Sequence, residues 1–334
     1  MSNESEILGE EFLELSSNIL ATMPRLRPPV AYYTLDDIRG VQVFCEAEER
    51  ISANKAEEIE QLCKAGNLFL NKRNYKTFAR FLSSDLGIIL VQENLDPAHT
   101  AHILYLALER ELLAFFARPI DETFENLKKH TAILCEYIWA DSARAFTLLQ
   151  AMDYQHTLGR HSVNTCFMGI ALFTLLAPEQ LADSLLQNAL GFLVHDIGMN
   201  HIPDFIRNKK GPLLNKEKMR VKEHTTSGLK SMQRLSAPYQ EMLVCIEQHH
   251  ERSNGSGYPR SLKEEAIHPV ARICALADSF CAMRSNRVYA KAKNLDTTIA
   301  ELATSPAYDK KCVNALFKVC GLAGLTNDES EAAG

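Results

Sequence analysis

Seven side chains of metal-ligating type, five histidines and two aspartates, fall on helical faces that ought to be apolar in the second half of this chain: His161, His195, Asp196, His224, His249, His250 and Asp278. In residues 241–251, Met242, Cys245, Ile246, His249 and His250 recur at the i, i+3, i+4, i+7, i+8 spacing of one buried stripe. In 215–235, with Asn215 as the expected N-cap, the stripe runs Val221, His224, Gly228, Met232 and Leu235, so His224 points inward as well. Asp278 shares a face with Ala271, Cys274, Ala275 and Ala282, small residues that let neighbouring helices approach closely. His195 and Asp196 end an apolar helix carrying Leu185, Ala189, Phe192 and Leu193, just before a C-terminal turn at Gly198. Any one inward imidazole, taken alone, is ordinarily a hydrogen-bonded core residue. Seven ligands on converging faces need partners, because an unpaired ion or donor in an apolar interior is costly. A pair of divalent cations bridged by a carboxylate would supply them, so the inventory fits a two-metal hydrolase.

The rest of the chain sets the frame. At 334 residues it accommodates one large or two modest domains. From residue 27 to about 91, turn formers (Pro28, Pro29, Gly40, Gly66, Gly87) separate β-prone pieces at 30–34, 40–44 and 67–70 and a helical stretch at 55–64. From Pro97 onward helical periodicity takes over and strand signals vanish. The predicted fold is mainly α: a C-terminal all-α helical bundle with a smaller N-terminal α+β domain. Residues 1–135 are assigned to the N-terminal regulatory or accessory domain, 136–325 to the helical domain, and 326–334, polar and acidic, to a disordered tail. Residues 121–151 hold no Gly or Pro and read as a rigid connector of one or two helices. A net charge of −6 argues against a duplex nucleic-acid partner but not against a small anionic ligand. Nine cysteines without a CxxC pair read as reduced core residues of a cytoplasmic protein. The N-terminus lacks the pattern of a secretory signal, and the longest apolar runs, 104–116 and 166–177, are too short or too charged to span a bilayer, so no membrane association is expected.

The order His195-Asp196-Ile197-Gly198, then His224, then the run from His249-His250-Glu251 to Gly257-Tyr258-Pro259, then Ala277-Asp278, strongly resembles the HD-GYP family of bacterial cyclic-dinucleotide phosphodiesterases, over residues 150–292. The resemblance implies a helical bundle in which His161, His195, Asp196 and Asp278 hold one ion and Asp196, His224, His249 and His250 the other, with Asp196 bridging. It implies iron or manganese foremost, with nickel or zinc as alternatives. It further implies hydrolysis of c-di-GMP or 3′,3′-cGAMP to the linear 5′-phosphorylated dinucleotide by attack of a metal-bridging hydroxide, with His195 and Asp196 at the catalytic centre. Arg287 matches the family position that grips substrate phosphate, a task for which a guanidinium is well shaped. Tyr258 and Lys291 join it as expected substrate contacts. The loop at 254–259, whose two glycines and proline also suit a plain tight turn, would border the site and contact a protein partner. Homodimerisation stays open.

Several positions depart from the family pattern. Met199 stands where a lysine is usual, Cys281 replaces the second acid of an Asp-x-x-Asp pair, and Ala290 stands where a basic residue is usual, with Lys291 directly after it. The Glu that brings a third ion in some members is Thr157 here, with His156 off the required face, so two ions are expected. The departures leave an alternative: a catalytically weak sensor or scaffold that binds cyclic dinucleotide and signals through protein partners. Against it, a chain released from catalysis would be free to lose ligands, and none is lost. A nucleotide phosphohydrolase of the wider HD superfamily would leave His249-His250 and the Gly-Tyr-Pro run unexplained.

Overall fold

The computed structural model describes residues 11–15, 20, 28–36, 39–74, 97–287 and 290–325. The chain divides into two compact units, residues 1–96 with 129–140, and residues 97–128 with 141–334. The border expected at 135 differs from this division, because 97–128 packs with the second unit and 129–140 with the first. The expected disordered tail, 326–334, lies outside the described residues, as do Gly87 and most of the extreme N-terminus.

In the first unit, β1 (Phe12–Glu14), β2 (Tyr32–Asp36), β3 (Gly40–Cys45) and β4 (Phe69–Asn71) form an antiparallel sheet in the order β1-β4-β2-β3. Helix α1 (Ala53–Lys64) joins β3 to β4, and its N-cap Ser52 accepts the amide of Lys55. Tyr32, Cys45, Ile59, Cys63, Leu68 and Leu70 form the core. The three β-prone pieces read from the sequence became β2, β3 and β4. β1, three residues long, carries too little alternation to be read.

In the second unit, α2 (Pro97–Ala117) is followed by α3 (Asp121–Ala140), whose C-terminal portion belongs to the first unit. Helix α4 (Leu158–Leu176) is buried almost all round, from Gly159 to Thr174, as expected of a helix hydrophobic on every side. It packs against α2, α5 (Leu181–Val194), α9 (Pro269–Arg284) and α11 (Lys310–Leu322). Helix α5 also packs on α8 (Gln240–Gln248), which meets α7 (His224–Met232) and α9. The helix read over 215–235 is two helices, α6 (Asn215–Lys222) and α7, with the break at Glu223. Leu214, not Asn215, is the N-cap, and the Glu217 carboxylate accepts its amide. Helix α10 (Leu295–Thr304) lies between α9 and α11 in sequence and packs on both. All nine cysteines are buried, and none is in a disulfide. Among the described residues no single helix is long and apolar enough to cross a membrane; α4 and the segment Pro178–His201 reach that length only as a pair bent by 111°.

Candidate metal centre

Helix α5 ends at Val194, so His195 caps it and Asp196 follows immediately. His195 is fully buried, and its Nδ1–H donates to the Phe192 carbonyl, 2.8 Å away. His224, at the first position of α7, makes the same kind of bond to Val221 at 2.6 Å, and His249, at the end of α8, to Cys245 at 2.8 Å. A carbonyl can only accept, so each of the three rings carries a proton on Nδ1 and turns Nε2, which is bare in the neutral ring, toward the interior.

The Nε2 atoms of these rings meet in the interior. His224 Nε2 lies 3.1 Å from His249 Nε2, and the two stand 3.3 and 3.6 Å from Asp196 Oδ1. Asp196 Oδ2 faces the other way, 3.7 Å from His195 Nε2 and 3.8 Å from His161 Nε2. His161, in the first turn of α4, lies 3.0 Å from Asp278 Oδ1 on α9. His250 Nδ1 is 4.0 Å from Asp278 Oδ2. The result is two groups, Asp196 with His224, His249 and His250, and His161 with His195 and Asp278, within each of which the ligand atoms lie within 4.8 Å of one another. All seven residues singled out in the sequence are present.

The electrostatics match a cation site. Burial pushes His195 down to about 4 and depresses His224 and His250, keeping their lone pairs free at neutral pH. Burial would raise both carboxyl groups. It is outweighed by surrounding imidazoles, His195 foremost for Asp196 and His161 for Asp278, which hold both below the usual carboxylate range. His249 moves the other way: burial opposes its charge, but the Asp196 carboxylate wins and raises it. His195 Nε2 and His161 Nδ1 are buried without a hydrogen-bond partner. An orphaned inward lone pair at His195 and a close contact between two others at His224 and His249 fit divalent ions. Imidazole and carboxylate without thiolate suit iron, manganese, nickel or zinc.

Two glycines allow the convergence. A Cβ on Gly198 would lie 1.8 Å from the His224 carbonyl oxygen, so only glycine lets the turn after Asp196 touch the start of α7. A Cβ on Gly257 would come within 2.5 Å of the His250 carbonyl oxygen, the Glu251 Cα and the Arg252 nitrogen. The loop therefore folds back onto the histidine pair, and the Tyr258 amide donates to the His250 carbonyl at 3.1 Å. Glu251, 1% exposed, fastens the loop by accepting the amides of Arg260 at 2.6 Å and Leu262 at 2.9 Å. Tyr258 stacks on His250, ring centroids 4.6 Å apart at 28°.

The expected substrate contacts fare unequally. Arg287 is half-buried and close enough to His156 and Cys281 for its charge to bear on both. Lys291 is exposed, and no contact ties it to either group among the described residues. Thr157 is the N-cap of α4, its hydroxyl accepting the Arg160 amide, and the His156 ring lies 6.0 Å from that of His161. Sequence reasoning assigned no role to Glu251 or Lys222. The first was legible only as part of a motif, and the second carries no signal beyond standing two residues before His224.

Residues 149–311 match the model of the HD domain family. The chain is 31% identical over 208 residues to a cyclic di-GMP phosphodiesterase of Pseudomonas aeruginosa, covering 61% of this chain and 46% of the relative. It is 39% identical over 125 residues to the 3′3′-cGAMP-specific phosphodiesterase 1 of Vibrio cholerae, covering 36% and 28%. It spans about half or less of the length of the curated relatives first matched. The solved HDG"Y"P protein Bd1817 of Bdellovibrio bacteriovorus superposes with a TM-score of 0.61, over 93% of this chain and 99% of the other at 16% identity, a likeness of fold, mainly α with a small sheet region. Residues 149–311 therefore form an HD domain, and its histidine pair and Gly-Tyr-Pro loop follow the HD-GYP pattern.

Proposed function

We propose that this protein is a metal-dependent phosphodiesterase that opens one 3′–5′ phosphodiester of a cyclic dinucleotide, c-di-GMP or 3′,3′-cGAMP, to give the linear dinucleotide with a 5′-phosphate. One observation carries the reading: Asp196 directs Oδ1 at His224 and His249, and Oδ2 at His195 and His161. A carboxylate whose two oxygens face separate imidazole sets is built to bridge two cations. The substrate class follows from the relatives, named as cyclic di-GMP and 3′3′-cGAMP phosphodiesterases.

In this reading His161, His195, Asp196 and Asp278 hold one ion and Asp196, His224, His249 and His250 the other, iron or manganese foremost. A bound pair would acidify a shared water and stabilise charge on the attacking and leaving oxygens of an in-line displacement. The chain's own groups do the rest. The carbonyls of Phe192, Val221 and Cys245 fix three imidazole tautomers before any ligand arrives. Arg287 offers a guanidinium to substrate phosphate from the His156 side. Glu251 fixes the loop that holds Tyr258 on His250. The N-terminal residues to 135 act as a regulatory or accessory domain.

The test is incubation of metal-loaded protein with c-di-GMP and with 3′,3′-cGAMP, separation of products, and elemental analysis of the same sample. Linear pGpG or pApG with two ions per chain is expected. Binding without turnover by protein holding two ions would turn the reading into the sensor alternative.

A further inference from the structure

Lys222, the last residue of α6 and two before His224, is exposed, and its ammonium lies over the Tyr258 ring, 5.0 Å from the centroid. That same ring is stacked on His250, so one aromatic ring separates the ammonium from a member of the metal-ligating group. Neighbouring cations are engaged: Lys209 pairs with Glu217 and Arg220 with Glu223. Among the described residues no carboxylate lies within ion-pair distance of Lys222. A surface lysine without an acid partner ordinarily spreads over many rotamers. Here the face of a ring fixed by stacking gives the ammonium a preferred position at the rim of the site. An acid in that place would hold the lysine against a competing anion. An aromatic face releases it readily, since a charge-assisted bond to phosphate is stronger than the contact it replaces.

A cyclic dinucleotide carries two phosphodiesters, each with one negative charge, and only one can sit at the ion pair in a given turnover. The other needs a cation near the rim. We propose that Lys222, parked on Tyr258, binds the second, non-scissile phosphate, so that the pair selects substrates with two phosphodiesters over substrates with one. Tyr258 then serves as a rest for the ammonium rather than as a platform for a base. This rests on the phosphodiesterase reading above.

The experiment compares wild type, Lys222→Gln, Lys222→Arg and the control Lys216→Gln, an exposed lysine at the start of α6, each with its metal content measured. Substrates are a cyclic dinucleotide and bis(p-nitrophenyl) phosphate, which has a single phosphodiester. For Lys222→Gln the KM for the cyclic dinucleotide should rise about five- to tenfold with kcat within about twofold, the size expected for one partly exposed charge contact. Its kcat/KM for bis(p-nitrophenyl) phosphate should fall by much less. Lys222→Arg should recover most of the loss, and Lys216→Gln should match wild type. An unchanged KM for the dinucleotide in Lys222→Gln overturns the proposal alone. So does an equal loss on both substrates, which would mean that Lys222 acts by way of His250. Wild type that cleaves bis(p-nitrophenyl) phosphate but no cyclic dinucleotide removes the substrate reading and this proposal with it.

Discussion

Replacing Gly198 by alanine should disconnect one half of the metal centre while leaving the other. The added Cβ would sit 1.8 Å from the His224 carbonyl oxygen, 2.7 Å from its carbon and 2.8 Å from the Gly228 nitrogen. An ordinary carbon–oxygen contact is about 3.4 Å, so the turn at Ile197–His201 and the start of α7 must part by roughly 1.5 Å. All three obstructing atoms are backbone, so no side-chain rotation relieves the clash. The displaced pieces are the ones that bring Asp196 and His224 together, Oδ1 to Nε2 at 3.3 Å. Metal–ligand distances tolerate about 0.2 Å, so the Asp196/His224/His249/His250 group loses at least one bond, whereas His161, His195 and Asp278 do not depend on α7. Overpacking of this kind costs about 1–3 kcal/mol or more, a fall of roughly 3–10 °C in Tm for a unit of this size. Misplacement beyond 1 Å at a reacting centre costs about 100-fold in rate. Elemental analysis should find about one ion per chain, with turnover of the cyclic dinucleotide down at least that far. Gly211→Ala, where the new methyl meets nothing within 4 Å, is the control. A Gly198→Ala protein with two ions, wild-type turnover and unchanged Tm would refute the reasoning.

Three further outcomes follow from the same geometry. Asp196→Asn should lower turnover by about a thousandfold or more and leave less than two ions per chain, because an amide nitrogen must replace one of the oxygens facing the two imidazole sets; retention of both ions and of activity would contradict a bridging role. Glu251→Ala should destabilise by about 2–4 kcal/mol, since it strands the amides of Arg260 and Leu262, and should lower turnover by releasing the loop that carries Tyr258, with urea unfolding and kinetics as the readouts. The metal-free protein should lose stability on acidification. His195 is held by burial at about 4 against 6.5 unfolded, so between these values the unfolded chain binds more protons and stability rises with pH. Going from 6.5 down to 4 therefore removes about 3 kcal/mol from this group. The depressed His224 and His250 add to the loss, and the raised His249 offsets part of it. Asp196 and Asp278, depressed by their imidazole neighbours, keep contributing until the pH falls below 3.8. Melting curves at pH 7, 6 and 5 check the sign, and a Tm that rises toward pH 5 would show it wrong.

What could be read in the sequence and what could not divide along a physical line. A 3.6-residue period fixes which side of a helix is buried, so the inward direction of His249 and Asp278 followed from Cys245, Ile246, Cys274 and Ala275 without knowledge of any neighbour. The same period ran straight through 215–235 and missed the break at Glu223. There the His224 ring takes the Val221 carbonyl for its Nδ1 proton, and the turn after Asp196 needs access to the His224 carbonyl at Gly198. Neither demand appears in the local pattern, because the turn and α7 are separated by more than twenty residues. The roles of Glu251 and Lys222 were illegible for the same reason. Glu251 acts on amides nine and eleven residues away, and Lys222 meets Tyr258 only because Gly257 lets the loop close over the histidine pair. The order of the chain thus states which groups are turned inward, and close backbone approaches at two glycines decide how they are shared. Substitutions at Gly198 and Gly257 should accordingly be more damaging than those at the exposed Lys291, although neither glycine has a side chain to offer an ion or a substrate.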